Sequence, residues 1–388
     1  MHIGIKAFDI IPEKRPRSNL VFLIDVSGSM KSQDKLPLLK NAFRMLVETL
    51  DPKDSVAIVV YAGAAGTVLE PVKAGEKGKI FAALDRLAAG GSTAGGEGIR
   101  QAYALAEANF DPDGVNRVIL ATDGDFNVGI RNPEELKGFV ERKRETGIFL
   151  TVLGFGQGNY NDRLMQKLAQ NGNGIAAYID TLNEARKVLV DEAHANLFTI
   201  AKDVKIQVEF NPAQVAEYRL IGYESRLLRR ADFNNDSVDA GDVGAGHSVT
   251  AIYEITPTGS QAKLIDDLRY GKSETVRKDP IGKESNEYAF LKIRYKLPDA
   301  GESRLITKSI SSESEYQSLN KAPGEARFAS AVAAFGQLLR GDPYVKGFTL
   351  DDAIILAEAV RGKDRFGYRT EFLNLVRLAK TARAMGDK

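Results

Sequence analysis

Between residues 19 and 200, short runs of continuously apolar residues alternate with amphipathic stretches, and few folds accommodate that alternation. The runs are LVFLID (20–25), SVAIVVYA (55–62), RVILATD (117–123), IFLTVLGF (148–155) and IAAYID (175–180). Apolar on both faces, they suit parallel strands covered from above and below. Between them Leu36, Leu39, Phe43, Leu46, Val47 and Leu50 recur at helical spacing behind Asp34, the expected cap, and Ile99, Ala102, Tyr103 and Ala106 form a second stripe. Asn132 with Glu135 around Pro133, and Thr181 with Glu184, have capping-box spacing. TVLE (67–70) is expected as an antiparallel edge strand. The fold class is therefore α/β: a doubly wound, mostly parallel, Rossmann-like sheet with helices on both faces, over residues 18–200.

The period then changes. Val204, Ile206, Val208 and Phe210 alternate with polar residues, as do Val249, Ala251, Tyr253 and Ile255, and Leu291, Ile293, Tyr295 and Leu297. Period two with one solvated face means antiparallel sheet, here a β-sandwich over residues 201–320. Ile3, Ile5 and Ala7 share that character. Residues 1–17 are thus a strand and linker belonging to the sandwich, with the α/β domain inserted into it. The helix expected over 181–200 leads straight into the sandwich strand at 203, a connection through which binding in one domain could bias the angle to the other. Residues 321–388 return to helical spacing: Phe328, Val332, Phe335 and Leu339, then Thr349 capping a helix with Ile354, Ile355 and Ala359, then Phe372, Leu375, Val376 and Ala379.

Composition narrows the chemistry. A chain of 388 residues calls for two or three domains, and a net charge of +1 supplies no general field for nucleic acid or anionic lipid. With no cysteine and three histidines (His2, His194 and His247), disulfides, thiolate metal sites and cysteine nucleophiles are excluded, and any metal must be a hard one held by oxygen. No apolar run reaches the roughly 18–20 residues of a membrane span, and the N-terminus lacks the pattern of a secretion signal.

The informative segment is Asp25-Val26-Ser27-Gly28-Ser29-Met30, directly after a buried strand. In open α/β sheets ligands collect at the carboxyl ends of strands. Asp25 ends its strand, and Ser27 and Ser29 follow at alternate loop positions. Thr93, in the loop GGSTAGG, and Asp123, ending RVILATD, join them if those strands are neighbours. Two carboxylates and three hydroxyls suit Mg²⁺, with Mn²⁺ or Ca²⁺ as alternatives, and leave a coordination position for an outside ligand.

This set resembles the metal-ion-dependent adhesion site of von Willebrand factor type A (VWA) domains, whose D-x-S-x-S motif is complete as Asp25, Ser27 and Ser29, with Thr93 and Asp123 matching the family threonine and aspartate. The resemblance implies a protein-binding module, for adhesion or assembly, in which the cation bridges to an Asp or Glu of a partner, and no catalysis. KAFDIIPEKRPRSNLVFLIDVSGSM, ILATDGDFNVG, KDVKIQVEFNP and DFNNDSVDAGDVGAGH extend the likeness to the YfbK-like bacterial VWA proteins, with their C-terminal domain of unassigned role. That family implies a cell-envelope or periplasmic location and more sequence upstream, so the chain is expected to be a fragment.

Other features have plainer readings. Asp125 and Asn127 suit turn or cap roles. Gly154, Gly156 and Gly158 lack the full dinucleotide fingerprint and suit a turn. Asp232, Asn234, Asp236 and Asp239 hint at a calcium loop, but Ser237 and Val243 stand where an EF-hand needs Gly and Glu. His247 fits a sandwich strand start and His194 a helix. Lys14 to Arg17 and Arg226 to Arg230 lack an aromatic stacking platform and suit a solvated linker and a sheet edge, not nucleic acid. Two alternatives to the binding module remain: a structural envelope protein with a vestigial site, and a Mg²⁺-dependent hydrolase. The hydrolase is disfavoured because Ser27 replaces the second Asp of a dehalogenase-like site, no phosphate-binding P-loop exists, and no histidine lies near the serines as a base.

Overall fold

The structure, a computed structural model, describes residues 1–9, 15–62, 64–91, 95–124, 133–158, 160–193, 197–223, 227–238, 240–265, 286–298, 300–345 and 347–386. The described strands form three sheets, in the orders 65–73, 55–61, 18–25, 115–122, 148–155 and 176–179; 2–6, 248–257 and 215–221; and 241–244, 199–210, 287–296 and 303–311. The chain divides into two compact units, one of Ala7–Lys202 with Ala240–His247, the other of Met1–Lys6, Asp203–Asp239 and Ser248–Lys388.

The first unit is built on the six-stranded sheet: β2 (Ser18–Asp25), β3 (Ser55–Tyr61), β4 (Ala65–Lys73), β5 (Val115–Thr122), β6 (Ile148–Phe155) and β7 (Ala176–Ile179). All neighbours are parallel except β4, which pairs antiparallel with β3 at the edge, as TVLE predicts. Alternate strand residues face opposite cores. Leu20, Phe22 and Ile24 pack with α1 (Leu36–Thr49) and α2 (Lys77–Asp85), where Phe22 stacks on Phe43 at 4.3 Å. Val21 and Leu23 pack with α3 (Gly95–Ala108), α4 (Pro133–Glu145) and α5 (Asp162–Asn171). Burial on both sides explains why these strands read as unbroken apolar runs.

Two expectations need correction here. The N-cap of α1 is Lys35, not Asp34, whose carboxylate instead accepts from Ser32 Oγ. The helix expected over 181–200 is not one regular α-helix: it opens with α6 (Leu182–Arg186), capped by Thr181, and is helical again at residues 193 and 197. It widens into a π-helical turn at Lys187–Asp191 that keeps Val188 and Leu189 buried, and β8 begins at Thr199. Asn132 and His194 lie outside the described residues.

The second unit contains the antiparallel strands β1 (His2–Lys6), β9 (Val215–Ile221), β11 (Ser248–Pro257), β12 (Glu287–Lys296) and β13 (Ser303–Ser311), with most of β8 (Thr199–Phe210); the short strand β10 (Gly241–Gly244) belongs to the first unit. β1 pairs with β11, Ile3 opposite Ala251 and Ile5 opposite Val249. The Phe210 ring of β8 meets Tyr218 of β9 and Tyr253 of β11 at 4.1 and 5.3 Å, so aromatic contacts join one antiparallel sheet to the other. β9, β10 and β13 have no counterpart among the strands expected from alternation.

Three helices follow: α7 (Gly324–Arg340), α8 (Leu350–Glu358) and α9 (Tyr368–Gly386). Thr349 caps α8, as its sequence predicts, and the structure adds Asp352 as its reciprocal partner. The buried stripe of α7 is rotated from the expected one: Ala331 is fully buried, while Val332 and Leu339 are 42% and 56% exposed. Leu375 on α9 and Ile355 on α8 are exposed likewise. Three helices around one small core bury only a narrow face each, and the edges of that face go to Phe328, Phe335 and Phe372, packed edge-on.

Candidate metal centre

The chain lays β3 on one side of β2 and, after crossing back, β5 on the other. The strand order therefore reverses between β2 and β5, and the crevice at their carboxyl ends is where ligands bind in this class of sheet. Asp25 is the last residue of β2, and Thr122 and Asp123 lie at the end of β5.

Asp25 is fully buried. Ser27 N donates to its Oδ1 at 2.8 Å and Thr122 Oγ1 to its Oδ2 at 3.3 Å, while Gly124 N donates to Thr122 Oγ1 at 3.1 Å. Ser27 and Ser29 stand with their Oγ atoms 3.0 Å apart on a short 3-10 turn, Gly28–Lys31, whose Met30 is buried in the core. That apolar anchor holds the turn so that both hydroxyls are presented together. Gly90 N to Val26 O (2.8 Å) and Gly28 N to Gly91 O (3.1 Å) tie the start of the GGSTAGG loop to the Asp25 loop. Thr93 itself lies outside the described residues, as do Asp125 and Asn127.

Burial raises the Asp25 carboxyl above its ordinary pKa; hydrogen bonds from Ser27 and Thr122 pull it back, and the neighbouring Asp123 charge raises it further. Asp123, also buried, accepts from Lys35 Nζ at 2.8 Å. Tyr61 stands in register with Asp25 on β3, and its phenol is raised well above the ordinary range by burial and by the Asp25 charge. Tyr61, Thr122 and Lys35 were not among the expected site residues. Tyr61 was accessible from the sequence, since it closes a strand as Asp25 does. Lys35 was not, because its reach to Asp123 depends on how the intervening loop folds.

Among the described residues no group of three His, Cys, Asp or Glu could hold a metal. The fit rests instead on two buried carboxylates, one raising the pKa of the other, beside two converging hydroxyls, a donor set suited to a hard divalent cation.

The remaining candidates have structural partners. A Cβ at Gly154 would overlap the Tyr160 ring, and one at Gly156 the Lys35 stem, so close packing accounts for these two glycines. Asp232 pairs with Arg229, and Asn234 and Asp236 accept from Arg294. Lys296 and Lys205 donate to the carbonyls of Asp236 and Asn235. The charge a calcium ion would bring is supplied by side chains; Asp239 lies outside the described residues. Arg15 pairs with Asp54 and Arg17 with Asp111, while Lys14 and Arg226 lie outside the description. His247 precedes β11, and its carbonyl accepts from Ala7 N at 2.9 Å.

The sheet with its site defines a von Willebrand factor type A domain, and residues 19–211 match that family. Residues 195–382 match the family described as "Uncharacterized protein YfbK, C-terminal", so the chain carries a VWA domain followed by a YfbK C-terminal domain. It is 45% identical to Escherichia coli YfbK over 379 residues, covering 98% of this chain and 64% of that protein. Synechocystis sll0103 is 29% identical over 173 residues, 45% of this chain and 40% of that protein. The chain thus spans less than two thirds of the length of either relative. Of solved structures, a von Willebrand factor type A protein from Catenulispora acidiphila aligns over 95% of this chain and 88% of its own, with a TM-score of 0.48 and 16% identity. VWA domains typically mediate protein interactions. Among the described residues no helix is long and apolar enough to cross a membrane.

Proposed function

We propose that the chain is a metal-dependent protein-binding module in which Asp25, Ser27, Ser29, Thr93 and Asp123 hold a divalent cation, Mg²⁺ before Mn²⁺ or Ca²⁺, and a partner protein supplies an Asp or Glu. The observation that carries this reading is the convergence of the Ser27 and Ser29 hydroxyls with the Asp25 and Asp123 carboxylates at the sheet's switch point. When bound, the ion supplies an electrophile for an external carboxylate. The protein's own part is to hold the donors in place. Thr122 and the Ser27 amide fix both oxygens of Asp25, and buried Met30 fixes the serine turn. No residue is assigned a catalytic role. A cell-envelope location, implied by the family resemblance, belongs to the same proposal.

One observation favours a second reading, a structural protein with a vestigial site: Lys35 neutralises Asp123 without any metal. Calorimetric titration with Mg²⁺ separates the two. The binding module predicts saturable binding that Ser27→Ala and Asp123→Ala each weaken, and a partner captured from native extract that is lost with chelator or in Asp25→Ala. No binding by the wild type, even at millimolar Mg²⁺, would favour the structural reading.

A further inference from the structure

Lys35 occupies the N-cap of α1, a position that usually goes to Ser, Thr, Asp or Asn, and one where a cation opposes the helix dipole. It makes no capping hydrogen bond with its side chain. Its stem lies on Gly156, whose missing Cβ leaves the room that Lys35 Cγ, Cδ and Cε fill. Its Nζ ends 2.8 Å from Asp123 Oδ2, in a pair whose side chains are only 12% and 1% exposed. Three elements therefore seat one ammonium, against local helix preference, on a carboxylate of the metal centre.

We infer that Lys35 is the tethered counter-ion of the metal-free site and competes with the divalent cation for Asp123. The inference rests on the metal-binding reading above. Asp25 and Asp123 are buried at neighbouring strand ends, where each charge disfavours the other. Without an ion, Lys35 offsets that repulsion. A divalent cation held by both carboxylates and the serine hydroxyls would offset it more completely, in exchange for the ammonium at Asp123. The affinity for metal is thereby set below what the oxygen donors alone would give. Lys35, once released at the mouth of the site, is a cation free to meet an acidic partner.

The test uses the full chain as wild type, Lys35→Met and Lys35→Gln. Mg²⁺ binding is measured by titration calorimetry, and Tm is measured in chelator and in saturating Mg²⁺. Both variants are expected to bind Mg²⁺ roughly tenfold more tightly than wild type. Their Tm is expected to rise more on adding Mg²⁺, because the chelated form has lost its counter-ion. Variants that bind where the wild type does not also support the inference. Equal or weaker binding in the variants, with the wild type still binding, overturns it while leaving the metal reading intact, and Lys35 then only positions Asp123. If none of the three proteins binds Mg²⁺, both fail. Should Lys35→Met not fold, the near-isosteric Gln variant decides.

Discussion

Gly98 in α3 approaches Tyr61 so closely that a Cβ on the glycine would lie 2.8 Å from the tyrosine's own Cβ. Tyr61 cannot retreat, because it is fully buried beside Asp25. Alanine is the better helix former by about 1 kcal/mol, yet overpacking at such a contact costs about 1–3 kcal/mol. Gly98→Ala is therefore expected to lower stability in urea denaturation and, by pushing the ring toward Asp25, to weaken Mg²⁺ binding. A variant as stable as wild type would show that the helix yields instead.

Arg117 is the largest fully buried side chain. It stands on β5, donates to Thr151 Oγ1 on β6 at 2.9 Å and to the carbonyl of Leu197 at 3.5 Å, and lies 5.5 Å from the Phe149 ring centre. Burial lowers its pKa to about 10, still well above neutrality, so it remains charged. Its bond to Leu197 fixes the segment that leads into β8. Arg117→Ala leaves a cavity and removes these bonds, at an expected cost of about 2–5 kcal/mol. Arg117→Met keeps the volume and is expected to cost less. Chemical denaturation of both checks the order; an equal cost would mean that the lost hydrogen bonds, and not the packing volume, set it.

The parallel sheet was legible because burial on both faces leaves an unmistakable apolar run, and the Asp25 loop because D-x-S-x-S follows such a run directly. Strands such as β13 were not, since Leu305 and Ile306 are both exposed and no alternation marks a face. The stripe on α7 was misjudged because Val332 and Ala331 are neighbours in sequence, and only the packing of three helices decides which one is buried. At the metal centre, the acidic and hydroxyl donors were visible as a motif. Lys35 was not, because an ion pair across 88 residues leaves no local trace.

Thr349 and Asp352 close the N-terminus of α8 with reciprocal bonds: Asp352 N donates to Thr349 Oγ1 at 3.2 Å and Thr349 N to Asp352 Oδ2 at 2.8 Å. The hydrogen bond from the Thr349 side chain, with that from its amide, holds the Asp352 carboxyl below its ordinary pKa. Thr349→Ala removes the cap and is expected to cost about 1 kcal/mol. Thr349→Ser, which keeps the hydroxyl, should recover most of it. Thermal melts followed by circular dichroism compare the three proteins, and a Ser variant no better than Ala would assign the loss to the threonine methyl group.

The acidic loop around Asp236 gives the pH dependence a sign. Hydrogen bonds from Arg294 and then Ser303 hold the Asp236 carboxyl below its ordinary value. A carboxyl depressed in the folded state stabilises the fold above the unfolded value, near about 4, and that stabilisation disappears as pH falls through the lower, folded value. Asp342, held low by the Tyr344 amide and by Arg219, adds in the same direction. Tm is therefore expected to be flat from neutrality to about pH 5 and to fall below about pH 4. In Asp236→Asn the curve should start lower and fall less steeply. Ca²⁺ should leave Tm unchanged in both, because Arg294, Lys296 and Lys205 already supply the positive charge in this loop. An Asn variant with the wild-type acid slope would place the acid-labile carboxylates elsewhere, and a Tm raised by Ca²⁺ in the wild type but not in Asp236→Asn would restore the calcium-loop reading.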